Sequence, residues 1–124
     1  MAADVGTLAR LPKIVGNHSW VKDVCLTARD FDAREASTVG FVSHVLKDKN
    51  EALGKALEIA GVLAEKSPVA VQSTKELLNY GREHSVSEAL RYTAVWNSAA
   101  LQGADFREAL TARVMRKKPT FEKL

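Results

Sequence analysis

Helix start and stop signals recur along this sequence, and they constrain the fold more than any other feature. Two capping-box patterns, Asp32–Glu35 and Ser85–Glu88, each place a capping side chain three residues before a glutamate. Pro68 suits the first turn of a helix that would finish near Gly81. Apolar residues recur at helical spacing between these signals. The pattern predicts helices over about 51–65, 68–81, 85–103 and 105–115.

The segment before residue 47 combines short helices with one candidate strand. Helices are predicted over about 4–10, 17–29 and 32–40, and Pro12 is expected to break or restart the first of them. Phe41–Leu46 alternates and is rich in β-branched and aromatic residues, so it is the one predicted strand. No other segment supplies a partner strand, so we expect part of the sheet to lie outside this chain. The fold class is therefore mostly α with one short strand.

Composition and charge exclude several classes of protein. The chain has 124 residues, 46% hydrophobic and 27% charged, as in an ordinary globular domain. Its net charge is +3, but cations and anions alternate over most of the length, so we expect no nucleic-acid partner. No apolar run is long enough for a membrane span. The single cysteine, Cys25, favours a buried structural thiol, and the scattered histidines predict no metal site.

The first residues contain the one carboxylate that is a candidate for chemistry. Asp4 lies among small and apolar residues, where a carboxylate loses solvation and becomes suited to proton transfer. Asp4 also precedes an apolar run at helical spacing, Leu8, Leu11 and Val15, as an ordinary helix N-cap does. The residues alone leave both interpretations open, and the N-cap is the commoner of the two.

The C-terminal residues form a second candidate site. Arg116, Lys117 and Lys118 precede the aromatic Phe121, a combination suited to a nucleotide phosphate and its base ring. The same cations are also what a solvated helix end carries to complement the helix dipole. Both interpretations stay open at this point.

Six segments, taken in order, resemble the C-terminal half of the enoyl-CoA hydratase/isomerase (crotonase) superfamily. They are Gly6–Gly16, Leu26–Arg29, Asp32–Ala36, Gly40–Val45, Lys66–Ala70 and Arg116–Phe121. The resemblance implies the C-terminal part of an α/β crotonase fold, a ClpP-like spiral, with its helical trimerisation region. Residues 1–46 would then end the core and hold part of the active site. Residues 47–124 would form a helical region for oligomerisation and for contacts with the CoA end.

Within that family, Ala2–Thr7 is similar to the Δ3,5-Δ2,4-dienoyl-CoA isomerase branch, since hydratases usually carry a glycine-rich stretch there. By resemblance, Asp4 would be one of two acid/base carboxylates that move a proton across a dienoyl-CoA. Its glutamate partner would lie eight residues earlier, before Met1, and the oxyanion N–H groups would belong to the N-terminal half. The chain would then hold half a site, as a fragment or a short form, and be inactive alone. The resemblance also places Lys117, Lys118 and Phe121 near the adenine and phosphates of CoA.

Other functional expectations follow from the same resemblance. Acyl-CoA would be the substrate, with no separate cofactor, and the protein would be a homo-oligomer, with trimers paired into hexamers. Glu122-Lys123-Leu124 differs from the peroxisomal Ser-Lys-Leu signal at its first residue, where glutamate replaces a small residue, so it is an imperfect signal. We therefore expect mitochondria, peroxisomes or both. Two alternatives to the isomerase remain: a non-catalytic helical module that associates with full-length subunits, and an enoyl-CoA hydratase relative.

Overall fold

The computed structural model describes residues 2–123, which contain seven helices and no strand. The terminal Leu124 of the signal-like tripeptide lies outside the described residues, as does Met1. The chain divides into two compact units, Met1–Gly54 and Lys55–Leu124. The helices are α1 Thr7–Ile14, α2 His18–Thr27, α3 Ala33–Thr38, α4 Lys49–Ala64, α5 Pro68–Gly81, α6 Val86–Ala100 and α7 Ala104–Val114. The predicted helices are confirmed in number and order, with ends shifted by a few residues.

The first unit is organised around an apolar cluster between α1 and α2. Leu11 lies on α1, and Val15 follows the last residue of that helix. Both pack against three residues of α2, and all five side chains are buried: Leu11, Val15, Trp20, Val21 and Val24. Asn17 ends the short link between the two helices, because its side chain accepts the Trp20 N–H at 3.0 Å. Cys25 packs against this cluster but is only half-buried, whereas the sequence predicts a buried thiol.

Glu35 of α3 connects the helices of this unit through hydrogen bonds. Its Oε1 accepts the Trp20 indole N–H at 2.6 Å, and both of its oxygens accept from the Arg29 guanidinium. Arg29 also donates to Asp23 on α2 at 2.7 Å. The sequence predicts a capping box at Asp32–Glu35, and half of it is confirmed: Asp32 accepts the Glu35 N–H at 2.7 Å. The reciprocal bond is not made, because the Glu35 carboxylate is used by Arg29 and Trp20.

The strand predicted at Phe41–Leu46 is wrong, since the described residues there have no strand structure. The end of α3 explains why. Gly40 has φ +78°, its N–H donates to Ser37 O, and the Phe41 N–H donates to Ala36 O at 2.8 Å. This is a Schellman motif, in which a left-handed glycine closes the helix. The motif uses the first backbone N–H groups of the segment. For the remaining backbone groups of the segment, the described residues contain no neighbouring strand with which they could form a ladder of hydrogen bonds.

In the second unit, α5 and α6 pack together through an aromatic ladder. Tyr80 of α5 lies 4.1 Å from Tyr92 of α6 between ring centroids, and Tyr92 meets Trp96 edge-on. The Trp96 indole N–H donates to the buried Ser73 hydroxyl at 2.7 Å. Partial burial, together with the Glu76 carboxylate as hydrogen-bond partner, raises the pKa of Tyr92 above its ordinary value. The capping box predicted at Ser85–Glu88 is present with both of its bonds.

Many apolar side chains of the second unit and of α4 remain exposed. Helix α4 buries none of its residues, and Leu57 is 64% exposed. Leu90 of α6 and Leu101, which follows the last residue of α6, are also exposed. Exposed apolar surface of this extent is typical of a contact face. No helix among residues 2–123 has the length and apolarity that a membrane crossing requires.

Val15 provides a direct test of the first apolar cluster. It is 1% exposed, and the change Val15→Ala removes two buried methyl groups. We expect the free energy of unfolding to fall by about 1–3 kcal/mol in urea denaturation. Val114→Ala is the matched control, because Val114 is 84% exposed. The control is expected to change stability by less than about 0.5 kcal/mol; equal effects of the two changes would contradict the described core.

The Glu35 network predicts a pH dependence of stability. Hydrogen bonds from Arg29 and then from Trp20 hold the pKa of Glu35 below its ordinary 4.5. The unfolded chain has the higher pKa, so this stabilisation is fully present above pH 4.5 and is lost as the pH falls through the folded-state pKa. Glu35→Gln should therefore be less stable than the parent at pH 7, with the difference shrinking below pH 4.5. Denaturant unfolding followed by circular dichroism at several pH values measures this, and a difference independent of pH would refute the assignment.

Candidate functional site

Asp4 lies in a tight turn that precedes α1. The Thr7 N–H donates to Asp4 O at 3.0 Å, and the two central residues, Val5 and Gly6, have φ of +41° and +88°. Two positive φ values and this closing bond are the features of a type I′ turn. The Asp4 Oδ1 accepts the Val5 N–H at 2.7 Å. The turn therefore holds one carboxylate oxygen of Asp4 against the backbone.

The N-cap interpretation of Asp4 is wrong in this structure. Helix α1 begins at Thr7 rather than at Asp4, its N-cap residue is Gly6, and no side chain caps it. Pro12 lies inside α1 instead of ending it. Asp4 is exposed, so the desolvation that its apolar neighbours suggest is not present in this chain. The catalytic role of Asp4 remains a prediction. Its carboxylate is not used to cap α1.

Val5 carries backbone strain next to this carboxylate. A β-branched residue rarely adopts a left-handed φ, because its side chain crowds the following carbonyl. Val5 is 94% exposed, so no packing interaction offsets that cost. Strain of this kind concentrates at functional sites. The left-handed conformation of Val5 therefore supports the Asp4 turn as a candidate site.

Replacing Val5 with glycine should relieve this strain. We expect Val5→Gly to raise the free energy of unfolding by about 0.5–1 kcal/mol, since the cost of a left-handed valine exceeds the unfolded-state entropy that glycine adds. Val95→Gly is the matched control, because Val95 is 69% exposed within α6 and lies in a right-handed helix. That change should destabilise the chain by a few tenths of a kcal/mol. Urea denaturation of both variants decides the point, and destabilisation by Val5→Gly would exclude the strained turn.

The C-terminal segment is turned back by a second left-handed helix end. Arg116 has φ +54°, its N–H donates to Arg113 O, and the Lys117 N–H donates to Ala112 O at 2.8 Å. This is the Schellman geometry again, with arginine where glycine is the usual residue. Farther along, the Thr120 N–H donates to Glu108 Oε1 at 3.1 Å. These bonds direct residues 117–121 back along α7.

A cavity of about 610 Å³ lies between this returning segment and the junction of α4 and α5. Its apolar lining includes Leu63, Pro68, Val71 and the half-buried Phe121. Its charged lining consists of Glu65, Lys66, Lys118, Glu122 and Lys123. A volume of this size, with an aromatic ring and several cations, is within the range of small-molecule and cofactor sites.

Lys118 does not point freely into this cavity. Its Nζ lies 2.8 Å from Glu65 Oε1, in an ion pair with both side chains exposed. The hydrogen bond from Lys118, followed by its charge, lowers the pKa of Glu65, so the carboxylate stays ionised at neutral pH. The structure thus brings together Lys118 and Phe121, two of the three tail residues that the sequence selects. Lys117 is exposed and is not part of the cavity lining.

Sequence reasoning missed Glu65 and Lys66 as members of this site. Both belong to the end of α4 and the link to α5, about fifty residues before the tail. The only signal was the charged pair itself, which is ordinary at a helix end.

Asp4 lies in the first unit and the tail cavity in the second. Among residues 2–123, no group of three or more side chains has the composition and placement to hold a metal ion.

A smaller cavity of about 390 Å³ lies among α5, α6 and α7. At its edge the Ser67 hydroxyl donates to Asp105 Oδ2 at 2.5 Å, and Ser67 also caps α5 by accepting the Ala70 N–H. Leu77, Leu101 and Phe106 contribute apolar walls. Every buried side-chain polar atom among the described residues has a hydrogen-bond partner. The walls of this cavity are mainly apolar, and its buried polar side-chain atoms are all paired.

Comparison with known proteins decides the family. A family model described as enoyl-CoA hydratase/isomerase matches residues 1–123. The chain belongs to this family. A member from Homo sapiens, named mitochondrial Δ(3,5)-Δ(2,4)-dienoyl-CoA isomerase, is 49% identical over 127 residues, which cover 100% of this chain and 39% of that protein. The peroxisomal isomerase of that name from Arabidopsis thaliana is 45% identical over 124 residues, covering 100% of this chain and 44% of its own length.

Solved structures of other proteins have the same fold over this region. A probable enoyl-CoA hydratase/isomerase from Mycobacterium abscessus superposes with a TM-score of 0.86 at 26% identity, covering 98% of this chain and 47% of that one. DspI from Pseudomonas aeruginosa superposes with a TM-score of 0.85 at 31% identity, covering 94% and 44%. The chain spans about two fifths of the length of the curated isomerases that it matches. It therefore has the structure of part of a crotonase fold.

Proposed function

We propose that this chain is the Asp4-containing, C-terminal portion of a Δ3,5-Δ2,4-dienoyl-CoA isomerase. The observation that carries the proposal is 49% identity along the whole chain to a protein of that name. A second family member, named methylglutaconyl-CoA hydratase, from Mus musculus, is 31% identical, so the isomerase-named relatives are clearly more similar. The Asp4 turn supports the same choice, because its carboxylate is not used in capping α1.

The proposed reaction moves a proton across a conjugated dienoyl thioester. A base removes a proton from the acyl chain, the negative charge spreads onto the thioester oxygen, and an acid returns a proton at the other end of the diene. Asp4 is proposed as one of the two acid/base groups. Its Oδ1 is held by the Val5 N–H, and Oδ2 has no hydrogen-bond partner among residues 2–123, which leaves one oxygen for proton transfer.

The isolated chain is expected to lack activity. Asp4 is exposed here, whereas proton abstraction beside a thioester is accelerated in a water-excluded site with preorganised donors for the enolate oxygen. The acyl-CoA is the substrate, and no separate cofactor is required for the proton shifts. The tail cavity, with Lys118 and Phe121, is proposed to contact the CoA end.

The exposed apolar residues of α4 and α6 support association with further protein surface. Leu57 and Leu90 are more than half exposed, and burying such residues against another copy or the rest of the fold would remove that apolar area from water. We propose a homo-oligomer of the trimer or hexamer type. Relatives named mitochondrial and peroxisomal support one or both of these organelles for this protein.

A chimera tests the proposed function. The matching segment of the human isomerase is replaced by this chain, and turnover of a 3,5-dienoyl-CoA is measured. We expect activity in the chimera, none from the chain alone, and a fall in kcat of about 100-fold or more for Asp4→Asn, since a lost acid/base group costs that much.

Asp30→Asn is the matched control in the same chimera. Asp30 is exposed, and the Arg29 guanidinium donates a hydrogen bond to its backbone oxygen rather than to its side chain, so activity should be retained. A folded chimera that hydrates a 2-enoyl-CoA but does not isomerise the diene would favour the hydratase alternative. A folded chimera with neither activity would favour the non-catalytic module. Turnover by the chain alone that Asp4→Asn abolishes would overturn the expectation of inactivity.

A further inference from the structure

The ion pair between Glu65 and Lys118 joins two parts of the tail cavity that lie far apart in sequence. Glu65 follows the last residue of α4, and Lys118 lies four residues after the end of α7. Their side-chain atoms are 2.8 Å apart, and both residues line the 610 Å³ cavity. The pair places a carboxylate in the cavity lining beside a lysine for which the sequence alone shows no partner.

The cavity lining carries nearly equal numbers of positive and negative charges, so the Glu65 carboxylate offsets a large part of its positive charge. Lys66, Lys118 and Lys123 contribute three positive charges to the lining, while Glu65 and Glu122 contribute two negative ones. Glu65 contacts one of these lysines directly, through its ion pair with Lys118. The lysines suit phosphate oxygens, and Phe121 with its apolar neighbours suits a base ring.

We propose that Glu65 competes with ligand phosphates for Lys118 and thereby sets the affinity of the tail cavity for a phosphorylated adenosine. This inference rests on the proposed function, in which the cavity contacts the CoA end. A phosphate binds Lys118 by displacing the Glu65 carboxylate, which then lies beside the bound anion. Glu65 therefore weakens binding in proportion to the negative charge of the ligand.

The exposure of the pair determines the size of the effect. Exposed ion pairs contribute little net free energy, because water screens them, so a phosphate can displace Glu65 readily. The nearby carboxylate continues to repel the phosphate after displacement. Both contributions disappear in Glu65→Gln, which keeps the shape of the side chain and removes its charge. We expect a gain in affinity of about three- to fivefold at low salt, falling as ionic strength rises.

Titration of the full chain with adenosine 3′,5′-bisphosphate and with adenosine tests the proposal. Isothermal calorimetry or NMR measures both affinities for the parent and for Glu65→Gln. The bisphosphate should bind the variant about three- to fivefold more tightly, whereas uncharged adenosine should bind both proteins equally. Circular dichroism checks that the variant keeps its helices, which is expected because Glu65 is exposed.

Glu58→Gln is the matched control. Glu58 belongs to α4 and forms an ion pair with the half-buried Lys55 at 2.8 Å, but neither residue lines the cavity. It changes the net charge of the chain by the same amount, so a general charge effect would appear equally in both variants. In a Lys118→Gln background, the effect of Glu65→Gln should fall below about twofold, because the shared cation is absent.

The outcomes separate this inference from the function on which it rests. Bisphosphate binding by the parent with an unchanged affinity in Glu65→Gln would overturn the role of Glu65 and leave the CoA contact standing. Equal gains in Glu58→Gln and Glu65→Gln would also overturn it. No bisphosphate binding by any of these proteins would overturn both the inference and the proposed CoA contact.

Discussion

Helix ends with left-handed residues determine the local geometry of both candidate regions. The terminal N–H and C=O groups of a helix have no partners within it, so the chain must reverse, cap or bind elsewhere at each end. Gly40 after α3 and Arg116 after α7 solve this with Schellman geometry, and Val5 and Gly6 form a left-handed turn before α1. Each reversal directs the next segment, so the placement of the tail and of Asp4 depends on it.

This constraint has a direct functional consequence at each terminus. Before α1, the turn uses the Asp4 backbone oxygen and one side-chain oxygen, and it leaves the helix start to Gly6. The carboxylate is consequently available in a way that an N-cap would prevent. After α7, the reversal at Arg116 brings Lys118 to Glu65 and lets Phe121 line a cavity with residues of α4 and α5. Left-handed backbone geometry therefore leaves the Asp4 carboxylate out of helix capping before α1, and it brings Lys118 into an ion pair with Glu65 after α7.

Much of the helical pattern could be predicted because it depends on local chemistry. The Ser85–Glu88 box is a reciprocal pair of bonds within one turn, and it forms as expected. The Asp32–Glu35 box forms only in part, because Glu35 has stronger partners in Arg29 and Trp20 that a local pattern does not reveal. The predicted strand at Phe41–Leu46 failed for a related reason: alternation describes a side-chain pattern, whereas a strand also requires neighbouring backbone donors and acceptors.

By itself, the sequence determined the helices, the family resemblance and the selection of Asp4, Lys117, Lys118 and Phe121. These depend on spacing along one helix or on motifs in order. Only the tertiary structure decided that Asp4 does not cap α1, that Glu35 links α3 to Trp20 and Arg29, and that Lys118 is paired with Glu65 while Lys117 is not in the cavity. The reason is physical: each of these outcomes is a competition for one hydrogen-bonding or charged group, and the winning partner is chosen by proximity in the folded chain.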